Sequence, residues 1–225
     1  MKLIGIVGRV YKNIDDKGII QTHDAVRRTI MRYNDVTCIT LLPTEDIDYF
    51  ENTDGSDNVN TNKLDFILDK CDGFIVPGGS FAYNFDEYVI NYAIKNDKPL
   101  LCICLGFQAI CSLFAKERTT FDMSIDSHLP NHYGPADEYQ HKVIIKDNTL
   151  LKDIIKENEI PVNSVHHCII KHDLKELVIS AISDDGIIEA VEYPNKKFII
   201  GLQWHPECLS DDYSKRIFDK YMNTL

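Results

Sequence analysis

The sequence predicts an α/β fold in a single domain over residues 1–225. The expected core is a doubly wound, mainly parallel sheet with helices on both faces and an added antiparallel layer in the C-terminal half. Three observations lead there. Short apolar runs recur through the first half with helical segments between them, as strands buried on both faces require. The second half carries strand-like runs joined by short polar turns, which suits antiparallel pairing. No repeat, low-complexity tract or linker divides the 225 residues.

Each element follows from its local pattern. Leu3 to Val7 is a compact apolar strand. Thr22 to Tyr33 places Ala25, Val26, Ile30 and Met31 at helical spacing, with Arg27, Arg28 and Arg32 between them. Val36 to Leu42 is a second strand, rich in β-branched residues. Glu51 to Asn62 is polar and reads as a surface loop, and Leu64 to Leu68 as a short helix. Gly73 to Val76 is a third strand that stops at Pro77-Gly78-Gly79. Glu87 to Lys95 is helical, and Leu100 to Ile103 is a fourth, fully apolar strand before a helix over Phe107 to Ala115. Beyond it, Val143 to Ile145, Leu177 to Ile182, Gly186 to Glu192 and Lys197 to Gly201 are the candidate antiparallel strands. Asp184-Asp185-Gly186 and Pro194-Asn195-Lys196 supply hairpin turns, and Ser210-Asp211-Asp212 caps a last helix to about Met222.

Composition narrows the function. The net charge of -11 argues against a nucleic-acid partner, because a phosphate backbone calls for a basic face. It leaves room for a small anionic substrate in a local pocket. No apolar stretch approaches the roughly 20 residues of a membrane span. The N-terminal run Met1 to Gly8 has one basic residue and reads as a strand rather than a targeting segment. Seven cysteines in no framework-like spacing point to a reduced, cytoplasmic protein with free thiols. Gly5-Ile6-Val7-Gly8 lacks the later glycine of a dinucleotide fingerprint, so no cofactor is expected. His128-Leu129-Pro130-Asn131-His132 has metal-like spacing, but Pro130 and Gly134 put it in a loop, and no metal is expected either.

The chemistry gathers at Cys104. It ends an apolar strand just before a helix, and a thiol there gains from the helix N-terminus and from the small Gly106 two residues on. Most cysteines in such runs are packed small hydrophobes, and Cys38, Cys71, Cys102, Cys111 and Cys168 are read that way. Far downstream, His205-Pro206-Glu207 offers a base and a carboxylate to orient it. Gly78 and Gly79 offer uncovered N–H groups suited to an oxyanion.

Together these segments resemble the class I glutamine amidotransferases, and within them the gamma-glutamyl hydrolase branch. The motifs are Cys102-Ile103-Cys104-Leu105-Gly106-Phe107-Gln108, Asp72 to Gly79, Val162-Asn163-Ser164-Val165-His166-His167, Asp185 to Ala190 and Gln203-Trp204-His205-Pro206-Glu207. The resemblance implies a flavodoxin-like fold. It also implies a cysteine-dependent hydrolase that cleaves a small gamma-glutamyl amide through a thioester. In it Cys104 is the nucleophile, His205 the acid and base, and Glu207 its orienting carboxylate. Gly79 and Leu105 hold the oxyanion, and Gly78, Gln108, Ser164, His166 and His167 line the glutamyl pocket.

Departures from the pattern bear on the leaving amine. Cys102 stands where a glycine is usual, Leu105 where the hydrolase branch has arginine, Ser80-Phe81-Ala82-Tyr83 after the oxyanion strand, and Cys168 where glutamine is common. Leu105 favours an alternative, a glutaminase subunit that supplies ammonia to a separate synthetase. Trp204 and the paired histidines favour the hydrolase. A third reading, a non-catalytic binding relative, is disfavoured because nucleophile, base and carboxylate are all present. Besides a small gamma-glutamyl substrate, the candidate partners are a second copy of the chain and, under the alternative, that synthetase.

Overall fold

The computed structural model describes residues 1–12, 18–44, 60–115, 132–170 and 174–225. Most of the polar 51–62 stretch and all of the 128–132 segment except His132 lie outside the described residues. In chain order the strands and helices are β1 (Lys2–Val7), β2 (Arg9–Lys12), β3 (Gly18–Gln21), α1 (Asp24–Ile30), β4 (Val36–Leu41), α2 (Thr61–Leu68), β5 (Gly73–Val76), α3 (Asn84–Lys95), β6 (Leu100–Ile103) and α4 (Leu105–Phe114). The second half adds β7 (His141–Ile145), α5 (Leu150–Ile155), β8 (Glu159–Val162), β9 (Val178–Ser183), β10 (Ile188–Glu192), β11 (Ile199–Leu202), a 3-10 turn over Pro206–Cys208 and α6 (Asp212–Met222).

One nine-stranded sheet runs in the order β4-β1-β5-β6-β11-β10-β9-β7-β8. Strands β4, β1, β5, β6 and β11 pair in parallel. This is the flavodoxin-like order, reversing after β1 and β4. From β11 onward the pairing turns antiparallel, through β10, β9, β7 and β8. The added antiparallel strands therefore extend the same sheet edge to edge. Strand β11 is the seam: antiparallel to β10 by a hairpin at Pro194-Asn195-Lys196, where Asn195 takes a φ of 61°, and parallel to β6 on its other side.

Alternation along the strands divides the core into two apolar layers. Leu101 and Ile103 of β6 face a layer shared with Val26 and Ile30 of α1 and with Ile217, Phe218 and Tyr221 of α6. Leu100 and Cys102 face the other, with Leu64, Val89, Phe107 and Ile110 from α2, α3 and α4. Burial on both faces explains why these strands read as unbroken apolar runs. Several elements depart from the sequence reading. The β2–β3 hairpin, α5 and β8 were not expected; each is a short segment whose pattern is too brief to register as periodic. Helix α4 begins at Leu105 rather than Phe107, directly after the bend at Cys104, and α3 at Asn84 rather than Glu87, where the Asp86 carboxylate accepts from the Tyr83 N–H. Among the described residues no helix is long and apolar enough to cross a membrane.

Helix α6 starts where its cap was expected. The Asp211 carboxylate accepts from the Ser214 N–H at 2.7 Å. Asp211→Ala should lower the unfolding free energy by about 1 kcal/mol. The check is a lower urea midpoint at an unchanged slope; an unmoved midpoint would show that the helix start does not depend on this cap.

Candidate active site

Cys104 occupies the one-residue bend between β6 and α4, with φ 50° and ψ -101°. A non-glycine residue with positive φ is strained, and the strain lifts the side chain above the sheet edge. Ladder bonds hold the bend at both ends. The Cys104 N–H donates to the Leu202 carbonyl at 2.8 Å, and its own carbonyl accepts from Gln108 N–H at 3.0 Å. Gly106 makes the turn sterically feasible: a Cβ there would lie 2.1 Å from the Val76 carbonyl oxygen. Cys102, two residues earlier, points to the opposite layer and is fully buried. Burial pushes its thiol well up, and Asp86 adds to the effect. Burial likewise raises the thiols of Cys111, Cys168 and Cys208, the last to about 11. All seven cysteines are free.

His205 leaves β11 on the same sheet edge, because Leu202 pairs with Ile103 in the parallel ladder. Its Nδ1 lies 2.8 Å from Glu207 Oε1, and both residues are buried. Cys104 lies beside the same imidazole: a Cβ on Gly78 would stand 3.6 Å from Cys104 Cβ and 3.7 Å from His205 Nε2. Burial alone would pull the imidazole below its ordinary value. The Glu207 carboxylate and its hydrogen bond, with the nearby Cys104, outweigh burial and raise it well above. Gly78 packs against the ring: a Cβ there would meet His205 Cε1 at 2.8 Å. Gly79 adjoins Leu105, whose Cδ2 would lie 3.2 Å from an added Cβ. Leu105 opens α4, so its N–H belongs to the first turn and has no intrahelical partner. The structure thus brings together Cys104, His205, Glu207, Gly78, Gly79 and Leu105.

Two positioning residues were not assigned from the sequence. The buried Asn163 amide grips the His205 backbone at both ends, donating to its carbonyl at 2.8 Å and accepting from its N–H at 2.8 Å. Arg9 is buried in an ion pair with Asp86, and its Nε donates to the Gly78 carbonyl at 3.0 Å and to that of Pro77 at 3.2 Å. Asp86 in turn accepts from the Tyr83 N–H at 2.9 Å, fixing the start of α3. Arg9 follows β1 directly, and the carboxyl ends of parallel strands are where such sites form, which was the available signal. Tyr11 and His23 also border the site. Their side chains join at 2.9 Å, and the charges of His205 and Arg9 reach both.

The residues expected at a glutamyl pocket lie in different surroundings. Gln108 lies one helical turn past Cys104 and donates to Gln203 at 3.2 Å. Ser164 and His166 are both buried: Ser164 Oγ donates to the His132 carbonyl at 2.8 Å, and His166 contacts His132 and the Cys168 carbonyl. The backbone of 163–166 spends its side chains alternately, so Asn163 meets His205 while its neighbours enter a separate polar network. His167 is exposed and stacks on Tyr133 at 4.3 Å between ring centres.

Two outcomes follow from this geometry. Glu207→Gln leaves burial as the dominant influence on His205, so the imidazole should lose its proton at a lower pH than in the wild type. The native raised value stabilises the fold fully below the ordinary histidine range and is lost as pH rises through the higher folded value; the variant should lose that window. An imidazole titration by NMR reads the shift, and an unchanged midpoint would rule out the Glu207 contribution. Gly106→Ala should cost about 3 kcal/mol or more, since the clash is with backbone, and should appear as a large fall in melting temperature.

Comparison with known proteins gives a consistent outcome. Residues 83–207 match the profile of the family described as Peptidase C26. The gamma-glutamyl-gamma-aminobutyrate hydrolase of Escherichia coli strain K12 is 29% identical over 191 residues, covering 71% of this chain and 74% of its own length. The CTP synthase of Staphylococcus aureus is 29% identical over 189 residues, covering 70% of this chain but 34% of its own length. Among solved structures, the glutaminase domain of Trypanosoma brucei CTPS with bound acivicin superposes with a TM-score of 0.64 at 18% identity, over 100% of this chain and 92% of that one.

Proposed function

Since the chain belongs to the Peptidase C26 family, a class I glutamine amidotransferase-like group, we propose that it hydrolyses the gamma-glutamyl amide bond of a small substrate, with Cys104 as nucleophile. The observation that carries this reading is the placement of Cys104, at a strained strand-to-helix bend, beside the hydrogen-bonded His205–Glu207 pair. A thiol acts only as thiolate, and an imidazole with a raised proton affinity is the group that takes its proton.

The steps then follow. The Cys104 sulfur attacks the γ-carbonyl carbon, and the N–H groups of Gly79 and Leu105 receive the charge that builds on oxygen. The C–N bond breaks as His205 gives its proton to the departing amine. A γ-glutamyl thioester on Cys104 remains. His205, neutral after that transfer, takes a proton from water as the water attacks the thioester. The C–S bond breaks, glutamate leaves, and the thiolate–imidazolium pair is restored. Glu207 keeps Nδ1 protonated and steadies the charged ring. Asn163 and Arg9 act by position, one holding the His205 backbone and the other the Pro77–Gly78 carbonyls. A cytoplasmic setting belongs to the same reading, supported by seven free thiols.

One observation favours a second reading. Leu105, the residue after the nucleophile, matches what ammonia-donating relatives carry, and the CTP synthase similarity is as high as that to the hydrolase. Under it the same thioester forms from glutamine, and the ammonia passes to a synthetase partner.

Glutamate release from a panel of gamma-glutamyl amines, with glutamine as one member, separates the two. The proposal expects turnover of a substituted amide by the isolated chain, with Cys104→Ser lowering it by about 10^4-fold or more. Activity confined to glutamine and raised by a synthetase would favour the second reading. Equal cleavage by wild type and Cys104→Ser would exclude both.

A further inference from the structure

Away from Cys104, three buried imidazoles gather around one buried carboxylate. His132, His141, His166 and Glu189 are all largely shielded from solvent, and Glu189 is fully so. They come from four separate places: the segment before β7, β7 itself, the turn after β8, and β10. Glu189 Oε1 lies 3.3 Å from His132 Nδ1, 3.5 Å from His141 Nε2 and 3.5 Å from His166 Nε2. His132 Nδ1 and His166 Nε2 are 3.3 Å apart. Four ligand atoms at 2.0–2.1 Å from a tetrahedral zinc ion stand about 3.3 Å from one another. These separations match that spacing, and His132, His141 and Glu189 form one group whose ligand atoms all lie within 4.8 Å of one another.

The outward-facing atoms explain why the inward-facing ones need a cation. His132 Nε2 meets Asp185 Oδ2 at 3.0 Å, and His166 Nδ1 meets the Cys168 carbonyl at 3.0 Å. Both partners accept only, so both outer ring nitrogens carry hydrogen. In the neutral imidazoles the inner nitrogens, His132 Nδ1 and His166 Nε2, are then bare lone pairs. They face each other and a carboxylate oxygen that also only accepts. Among the described residues neither Glu189 oxygen and neither His141 ring nitrogen has a hydrogen-bond partner. A carboxylate or a carbonyl on the far nitrogen is also how metal-bound histidines are oriented.

We propose that His132, His141 and Glu189, with His166 beside them, hold a zinc-class divalent cation in a buried site. Imidazole and carboxylate ligands suit zinc. The whole cluster is shielded from solvent, so the role is structural. The ion ties the segment entering at His132 to β7, β10 and the 163–166 turn, whose Asn163 holds His205. The rival occupant is a proton, which would make an imidazolium of His132 paired with Glu189.

The test uses untagged full-length protein, stripped with a chelator, checked for retained fold by circular dichroism, then titrated with Zn²⁺ and separately with Co²⁺. The proposal expects one tightly held equivalent, a melting temperature that rises with added zinc, and the visible bands of four-coordinate cobalt without a thiolate charge-transfer band. Glu189→Gln and His141→Phe should abolish the equivalent, and Cys208→Ala should keep it. That control matters because His205, Glu207 and Cys208 form a second cluster of ligand-type atoms. Should the first two variants not fold, X-ray absorption of the zinc-loaded wild type decides. Nitrogen and oxygen scatterers with imidazole signatures support the site, and a sulfur scatterer overturns it. Folded, stripped protein that takes up no zinc overturns it too, leaving the proton as occupant.

Discussion

The parallel pairing of β6 with β11 is the constraint on which the molecule turns. Leu202 sits opposite Ile103, so the two strands end level and the chain leaves both at one edge. That places Cys104 and His205, far apart in sequence, within reach of each other. The ladder even supplies the clamp, since the Cys104 N–H donates to the Leu202 carbonyl. A slip of one residue would turn every β11 side chain to the other face and carry the imidazole away. The other edge of β11 starts the antiparallel half through β10. There the Gln203 N–H donates to the Glu189 carbonyl at 2.8 Å, joining the polar network beneath β10 to the strand that bears the imidazole.

Around that seam, precision is supplied by polar side chains gripping backbone. Asn163 takes both amide groups of His205, and Arg9 takes the carbonyls of Pro77 and Gly78. Such contacts fix main chain, which loses little entropy on further ordering, and leave the reacting side chains to be set by their own rotamers. Arg9 is shielded from water only because Asp86 neutralises it. Removing either partner would strand a buried charge, at a cost of about 3–5 kcal/mol. The strain at Cys104 needs this scaffolding: a positive φ persists where its surroundings leave no alternative.

Much of this was legible in the sequence, for physical reasons. The parallel strands showed as apolar runs because both faces are buried, and the hairpins as Asp-Gly and Pro-Asn turns because few residues accept their backbone angles. Cys104, Gly106, His205 and Glu207 stood out because a thiol nucleophile needs a bend, a small neighbour, a base and an orienting acid. What escaped was long-range. Nothing near Arg9 in the chain announces Asp86, and nothing near Asn163 announces the backbone of His205. Ser164 and His166 were read as pocket residues since their motif carries them. Their burial among His132 and Glu189 depends on strand order, which local pattern does not encode.

The seam strand has a bearing on how the protein is made. Residues leave the ribosome in order, and everything through α4, Cys104 included, emerges well before β11. Until that strand inserts between β6 and β10, the thiol has no imidazole beside it and the bend has lost the bond from Leu202. A growing chain therefore carries the Cys104 thiol without its imidazole neighbour. The two meet only when one of the last strands completes the sheet, so under the proposed function the chemistry is withheld until the fold is nearly finished.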